Sequence, residues 1–308
     1  MLFRRKILKN NGIIEFISRR ADEYEYRLNA PASELTSFKI GGSVKVTVYP
    51  KTKGALCALL RYLKGSGEVY SVLGNGSNVL VSDDGYDGVL VVTTLMSEIE
   101  IDGCTLKADA GRGITSAASQ AQRAGLAGLE FAYGIPGTVG GAVAMNAGAY
   151  GGEIADVIVS VECYDAESDS VLTLTKEELC LGYRESVIRH RPLTVLSAEF
   201  NLERGDCETI LEKMTDFMSR RREKQPLEYP SAGSVFKRYP GYFTAKLIDE
   251  AGLKGYRIGG AEISSKHAGF IVNKGGASAA DVKALVELVT NELEKAHGIK
   301  IERELIYM

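Results

Sequence analysis

The sequence predicts an α+β protein of more than one domain. Strand-like apolar runs at residues 44–49, 69–73 and 89–94 are interrupted by a single helical stretch, 54–64, so the chain does not alternate as a regular βα repeat would. A glycine-rich stretch, 134–152, divides the middle of the chain, and a capping residue, Asp206, opens a new helical segment beyond it. With 308 residues, 45% of them hydrophobic and 25% charged, two or three compact domains can each bury a core.

The elements follow in order. Residues 1–30 read as an N-terminal extension, starting Met1-Leu2-Phe3-Arg4-Arg5-Lys6 with no apolar run typical of a signal peptide. The runs just named make a first small domain, 31–96. A second, 97–204, begins with a hairpin-like segment at 98–110, continues through an Ala-rich helix after Gly113 and returns to strands at 157–164 and 195–202. The third, 205–308, opens with the helix that Asp206 caps. Its Ile210, Leu211, Met214, Phe217 and Met218 share one face, and Gln225-Pro226 ends it. In the last helix Ser278 and Asp281 form a capping-box pattern and Val282, Leu285, Val286, Val289 and Leu293 make the buried stripe; Gly298 follows, and residues 299–306 read as a final strand.

Charge and cysteine content exclude several functions. A net charge of -3 gives no general attraction to a phosphate backbone, and the one basic run, Arg220-Arg221-Arg222-Glu223-Lys224, reads first as a solvated helix end. No nucleic-acid partner is expected. Cys57, Cys104, Cys163, Cys180 and Cys207 show no zinc spacing and are expected as reduced core residues, without a metal. The longest apolar stretch is far too short to cross a bilayer, so the expectation is a cytoplasmic protein with no membrane association, a monomer or weak oligomer.

Two glycine segments carry the functional signal. Gly74-Asn75-Gly76-Ser77-Asn78 lies between two strands as a two-glycine hairpin would, and its backbone N–H groups can turn toward an anion. It fails as a dinucleotide fingerprint, because Val79 stands at the third glycine position and strand rather than helix follows. No Walker-type Gly-Lys-Ser/Thr sequence is present. The second segment contains Gly134, Gly137, Gly140, Gly141, Gly148, Gly151 and Gly152. So many ordered glycines point either to a tightly packed bend or to a backbone passing close to a flat or anionic ligand, the latter being the better account of their density.

Read in order, several segments resemble the UDP-N-acetylenolpyruvoylglucosamine reductase (MurB) family. They are Thr36-Ser37-Phe38-Lys39-Ile40-Gly41-Gly42, Gly74 to Asn78, Gly134-Ile135-Pro136-Gly137-Thr138-Val139-Gly140-Gly141, Met145-Asn146-Ala147-Gly148, Tyr183-Arg184-Glu185-Ser186, Ser231-Ala232-Gly233-Ser234-Val235-Phe236-Lys237, Gly252-Leu253-Lys254-Gly255 and Glu302-Arg303-Glu304. The resemblance runs from about residue 30 to the end. It implies an FAD-binding fold of the vanillyl-alcohol-oxidase type in two α+β subdomains, closed by a C-terminal α+β substrate domain. The short interval between Arg184 and the strand at 195 resembles the shorter subtype, without the extra substrate-covering loop. Phe236-Lys237-Arg238-Tyr239-Pro240 departs from the Phe-Lys-Asn-Pro of longer members, so a contact from that Asn does not carry over.

The resemblance further implies NADPH-dependent, FAD-mediated reduction of the enolpyruvyl ether of a UDP-amino sugar in peptidoglycan precursor synthesis, with non-covalent FAD. Gly74, Asn75, Gly76, Ser77, Asn78, Ile135, Gly137, Thr138, Gly141, Asn146, Gly148 and Tyr150 are then cofactor residues. Arg184 and Glu304 stabilise the enolate-like intermediate, and Ser234 gives the proton. Lys224 is a candidate for the UDP pyrophosphate, Lys237 lies with the substrate, and either Lys237 or another cation nearby is expected to make proton transfer from Ser234 feasible. Two other readings keep the glycine loops: an FAD-linked oxidase acting on another small molecule, and a non-catalytic nucleotide-binding protein.

Overall fold

A computed structural model describes residues 12–239 and 241–308, and the first eleven residues of the expected extension lie outside them. The chain forms two compact units. The first holds the described residues up to Asn29 with Val44–Gly74 and Asp87–Leu211; the second holds Ala30–Ser43, Asn75–Tyr86 and Glu212–Met308.

In the first unit a four-stranded sheet has the order Tyr24–Pro31, Ser43–Pro50, Tyr86–Val92, Tyr70–Leu73. Its last two strands are parallel, with Tyr70 opposite Val89. The helix Lys53–Ser66 starts where the Thr52 hydroxyl accepts from the Ala55 N–H and stops at left-handed Gly67. It buries Leu56, Leu59, Leu60 and Leu63, whose spacing puts them on one face. These leucines share a core with Val46, Val48, Val89 and Val91 of the sheet and with Tyr164 and Leu196 of a second, antiparallel sheet of five strands. Residues 12–18 are helical, and Ile13 and Ile17 belong to the same core. Burial pushes the Tyr164 phenol upward, reinforced by its hydrogen bond to Asp169, whose own carboxyl that phenol and Arg61 hold down.

The second unit is built on an antiparallel sheet ordered Ser231–Ser234, Phe270–Asn273, Ala261–Ile263, Arg257–Ile258, packed with the helix Ala279–His297. The expected capping box is present. Ser278 accepts from the Asp281 N–H, and Asp281 accepts from the Ser278 N–H at 3.0 Å. The next two orphan donors of the helix are met from a distant loop: the Asp83 carboxylate accepts from Ala279 N at 2.7 Å and Ala280 N at 2.9 Å. Gly298 ends the helix in the left-handed region.

Several local expectations are corrected. Of the expected final strand, Ile306 pairs, together with Tyr307 beyond it, in parallel with Val79–Leu80, and Arg303 forms an isolated antiparallel bridge to Phe236. Ile299, Ile301 and Leu305 are instead core side chains on irregular backbone. The Gly74–Asn78 loop is not a hairpin, since the strand before it pairs with Tyr86–Val92 and the strand after it with Ile306–Tyr307. Cys180 and Cys207 are exposed rather than core. Leu211 is exposed although Ile210, Met214 and Phe217 on the same helix are buried. The basic helix end is not wholly solvated either, because Arg221 is buried to 8% exposure. Among the described residues no helix is long and apolar enough to cross a membrane.

Removing the Asp83 carboxylate leaves two N–H groups of the long helix without their partner. Asp83→Ala is therefore expected to lower unfolding stability by about 1–2 kcal/mol in a urea titration. The Asp281 carboxyl is held below its ordinary range by the Ser278 N–H, so its contribution is fully present above that range and is lost as pH falls through its lowered value. A helix-specific loss of stability already at neutral pH would contradict this.

Candidate active site

Seven glycines make the segment 134–152 distinctive, and most of them are explained by the protein's own packing or by a positive φ. A Cβ on Gly152 would stand 2.8 Å from the Phe131 ring, one on Gly148 2.8 Å from Glu153 Cβ, and one on Gly140 3.0 Å from Ala110 Cβ. Gly134 and Gly151 have positive φ. Gly141 differs. It is exposed in the first turn of the helix Val139–Ala144, and the nearest atom to its Cβ would be Thr138 Oγ1 at 3.6 Å. Thr138 caps that helix and accepts from the Gly141 N–H. Gly74 is pressed against the same threonine: its Cβ would lie 2.2 Å from Thr138 Oγ1. Thr115 ties down the approach to the helix, donating to the Ile135 carbonyl and accepting from Gly134 N, both at 3.0 Å, while the Gly137 carbonyl accepts from Ile114 N at 3.1 Å.

Arg184 occupies a four-residue turn closed in both directions by backbone bonds between Gly182 and Glu185. Its φ is 56°, a conformation that a non-glycine residue holds at a cost of about 1–3 kcal/mol. Asn146 (φ 39°) and Tyr150 (φ 56°) share that left-handed backbone. The Arg184 guanidinium donates to the Gly148 carbonyl at 3.3 Å and lies 5.2 Å from the Tyr183 ring centroid. Asn146 is fully buried, so its side chain bonds within the protein: it donates to the Gly182 carbonyl at 3.0 Å and accepts from Ala155 N at 2.9 Å. Asn146, Gly148, Tyr150 and Arg184 all belong to the first unit.

The second unit brings Ser234, Glu304 and Asn78 together. The Glu304 N–H donates to the Val235 carbonyl at 2.8 Å, beside Ser234, and the Asn78 amide donates to the Glu304 carbonyl at 3.4 Å. Asn75, Gly76 and Ser77 lead into this arrangement. A Cβ on Gly76 would meet the Leu35 carbonyl at 2.4 Å, and the Gly76 carbonyl accepts from Ser37 N at 3.2 Å. Ser234 donates through Oγ to the Phe236 carbonyl at 3.1 Å and lies 3.5 Å from that of Gly269. Lys237 does not bond to it, its ammonium pairing with Glu302 at 3.0 Å. Lys224 is exposed at the end of its helix, and the Arg238 guanidinium lies 5.4 Å from the Phe243 ring centroid.

Two neighbours escaped the sequence reading. His267 accepts from Gly269 N at 3.2 Å, and a Cβ on Gly269 would lie 3.0 Å from its ring and 3.3 Å from Ser234 Oγ. Burial lowers its pKa, so it is neutral at pH 7. Ser186 is buried and donates to the Ala144 carbonyl at 2.7 Å. It stood inside a recognised motif, but a serine gives no sign in sequence of which carbonyl it will meet.

Residues 44–175 match the FAD binding domain family, and with that mixed helix and strand architecture the protein is a flavin-dependent oxidoreductase with an α+β FAD-binding fold. Residues 225–308 match the C-terminal domain of UDP-N-acetylenolpyruvoylglucosamine reductase. The UDP-N-acetylenolpyruvoylglucosamine reductase of Caldicellulosiruptor bescii is 47% identical over 98% of this chain and 93% of its own. That of Caldanaerobacter subterraneus is 45% identical over 90% and 92%. The crystal structure of the Thermus caldophilus enzyme matches with a TM-score of 0.78 at 35% identity, covering 92% of this chain and 98% of that one. The chain belongs to the UDP-N-acetylenolpyruvoylglucosamine reductase family.

The open space at Gly141 fits a cofactor lying against backbone, which separates it from the packed glycines. Gly141→Val is expected to purify with a melting temperature near that of the parent but without the yellow flavin absorbance. Gly148→Ala is expected to lose about 1–3 kcal/mol of stability instead, through overpacking. Full flavin content in folded Gly141→Val would remove this position from the cofactor surface.

Proposed function

We propose that the chain reduces UDP-N-acetylglucosamine enolpyruvate to UDP-N-acetylmuramate in cytoplasmic synthesis of peptidoglycan precursors, with NADPH as electron donor. When bound, FAD supplies the hydride chemistry, accepting from NADPH and giving to the terminal carbon of the enolpyruvyl group. What remains for the protein is to hold charge and deliver a proton.

Hydride addition drives negative charge into the substrate carboxylate and its neighbouring carbon. Arg184 offers a permanently protonated, planar fork that matches a carboxylate, and it acts by binding this charge more tightly as it develops. Ser234 gives its hydroxyl proton to the carbon next to the carboxylate. Glu304 acts in this step through a hydrogen bond as its protonated acid or through a water, since an ionised carboxylate would repel the intermediate. Lys224 binds the UDP pyrophosphate, and Lys237 holds the substrate side of the same segment. Gly74 to Ser77, Asn78, Ile135, Gly137, Thr138, Gly141, Gly148 and Tyr150 form the cofactor surface.

The observation that carries this reading is the backbone bond from Glu304 to Val235, which supports a joint role for Glu304 and Ser234. The family relationship over nearly the whole chain supports the substrate assignment.

The two half-reactions separate the roles, because only the second needs a proton donor. In stopped flow, flavin bleaching by NADPH is expected to survive Ser234→Ala. Reoxidation by the enolpyruvyl substrate is expected to slow by about 10²–10⁴-fold while substrate still binds. Ser234→Cys retains a transferable proton and is expected to be faster than Ser234→Ala. Equal slowing of both halves would make Ser234 a turn residue only.

A further inference from the structure

We infer that Asn146 and Ser186 are positioning residues for Arg184, acting on the reaction through that guanidinium rather than by touching cofactor or substrate. The inference rests on the assignment of Arg184 to the substrate carboxylate.

Arg184 carries its charge on a turn whose left-handed backbone would suit glycine better, so something must hold the turn in place. Two fully buried side chains do so by tying it to the segment 144–148. On one side of Arg184, the Asn146 amide donates to the carbonyl of Gly182, the first residue of the turn. On the other side, the Ser186 hydroxyl donates to the Ala144 carbonyl, immediately after the turn closes at Glu185. Arg184 itself adds a third bond, to the Gly148 carbonyl.

These bonds have no water to replace them. Asn146 is 0% exposed and Ser186 1%, so losing the Ser186 donor removes a buried tether to the Ala144 carbonyl, and losing the Asn146 donor leaves the Gly182 carbonyl only its bond from Glu185 N within the turn; either loss frees the turn to shift. Asn146 is further locked by the Ala155 N–H, which fixes which end of its amide faces Gly182. The segment 144–148 thus sets the height of the guanidinium, and a displacement near 1 Å at a charge-stabilising group costs on the order of 10²-fold in rate.

The test uses the FAD-loaded enzyme and two variants. Ser186→Ala removes one tether. Asn146→Asp keeps the acceptor for Ala155 and removes the donor to Gly182. Both are expected to hold one FAD per chain by absorbance and to be bleached by NADPH at the parental rate. Reoxidation at saturating enolpyruvyl UDP-sugar is expected to slow by about 10–100-fold. In an Arg184→Ala background, Ser186→Ala is expected to add less than about twofold, because its effect passes through the missing guanidinium.

Five results would overturn the inference. Loss of FAD, or equal slowing of both half-reactions, would make these residues supports of the cofactor loop alone. Parental reoxidation in Ser186→Ala, with Arg184→Ala slow, would show that the tether does not matter. A full additional slowing in the Arg184→Ala background would show that it acts independently of Arg184. Parental reoxidation in Arg184→Ala itself would overturn the underlying assignment, and the inference with it.

Discussion

Close approach of backbone to backbone is the constraint on which the second unit depends. Its two short excursions, Ala30–Ser43 and Asn75–Tyr86, meet where side chains are missing. A Cβ on Gly42 would lie 2.2 Å from the Asp83 carbonyl, and one on Gly85 2.0 Å from that of Ser43. At such separations no side-chain rotation relieves the clash, so alanine would force the segments apart. Glycine is required here by the fold alone. The Thr36 to Gly42 motif therefore has a structural reason, reinforced by Phe38 and Ile40 in the core and by the Asn273 amide on the Phe38 and Lys39 carbonyls.

Elements whose signals are local were legible in the sequence. The helix Ala279–His297 showed its capping box, apolar stripe and terminal glycine, and all are present. What could not be read was pairing at long range. Strand 70–73 looked like one arm of a hairpin because its neighbour in sequence is another apolar run, yet its partner is Tyr86–Val92. Likewise residues 299–306 read as one continuous strand, yet they pair only at Arg303, in an isolated bridge to Phe236, and at Ile306. Ile299, Ile301 and Leu305 bury their side chains without a ladder. Periodicity records which side chains are inside and leaves the hydrogen-bond partner open.

The candidate site shows the same division. Glycine density reports that backbone comes near something, and it does not say what. In the segment 134–152 the partner is Phe131, Glu153 or Ala110 at three positions, and open space at Gly141. Asn146 was legible as important through its motif, but a motif cannot distinguish an amide that touches a ligand from one that holds a turn. Burial supplies that distinction, since an amide with no exposed surface and a protein partner at each end offers no face to a ligand.

The proposed choice of serine as proton donor has a physical logic in this setting. A hydroxyl that donates to the Phe236 carbonyl is stabilised in its neutral form, so Ser234 keeps its proton across the whole working pH range. The cationic neighbour that might have acidified it is engaged elsewhere, with Glu302, and His267 is held neutral by burial. The driving force for transfer must then come from the acceptor. Once hydride has been added, the carbon beside the carboxylate is basic enough to take a proton from a weak acid, and the hydroxyl need only turn from a carbonyl toward it. A stronger acid at this place would add a titration of its own to the pH profile, while in the proposed mechanism serine leaves timing to the arrival of negative charge and its stabilisation by Arg184.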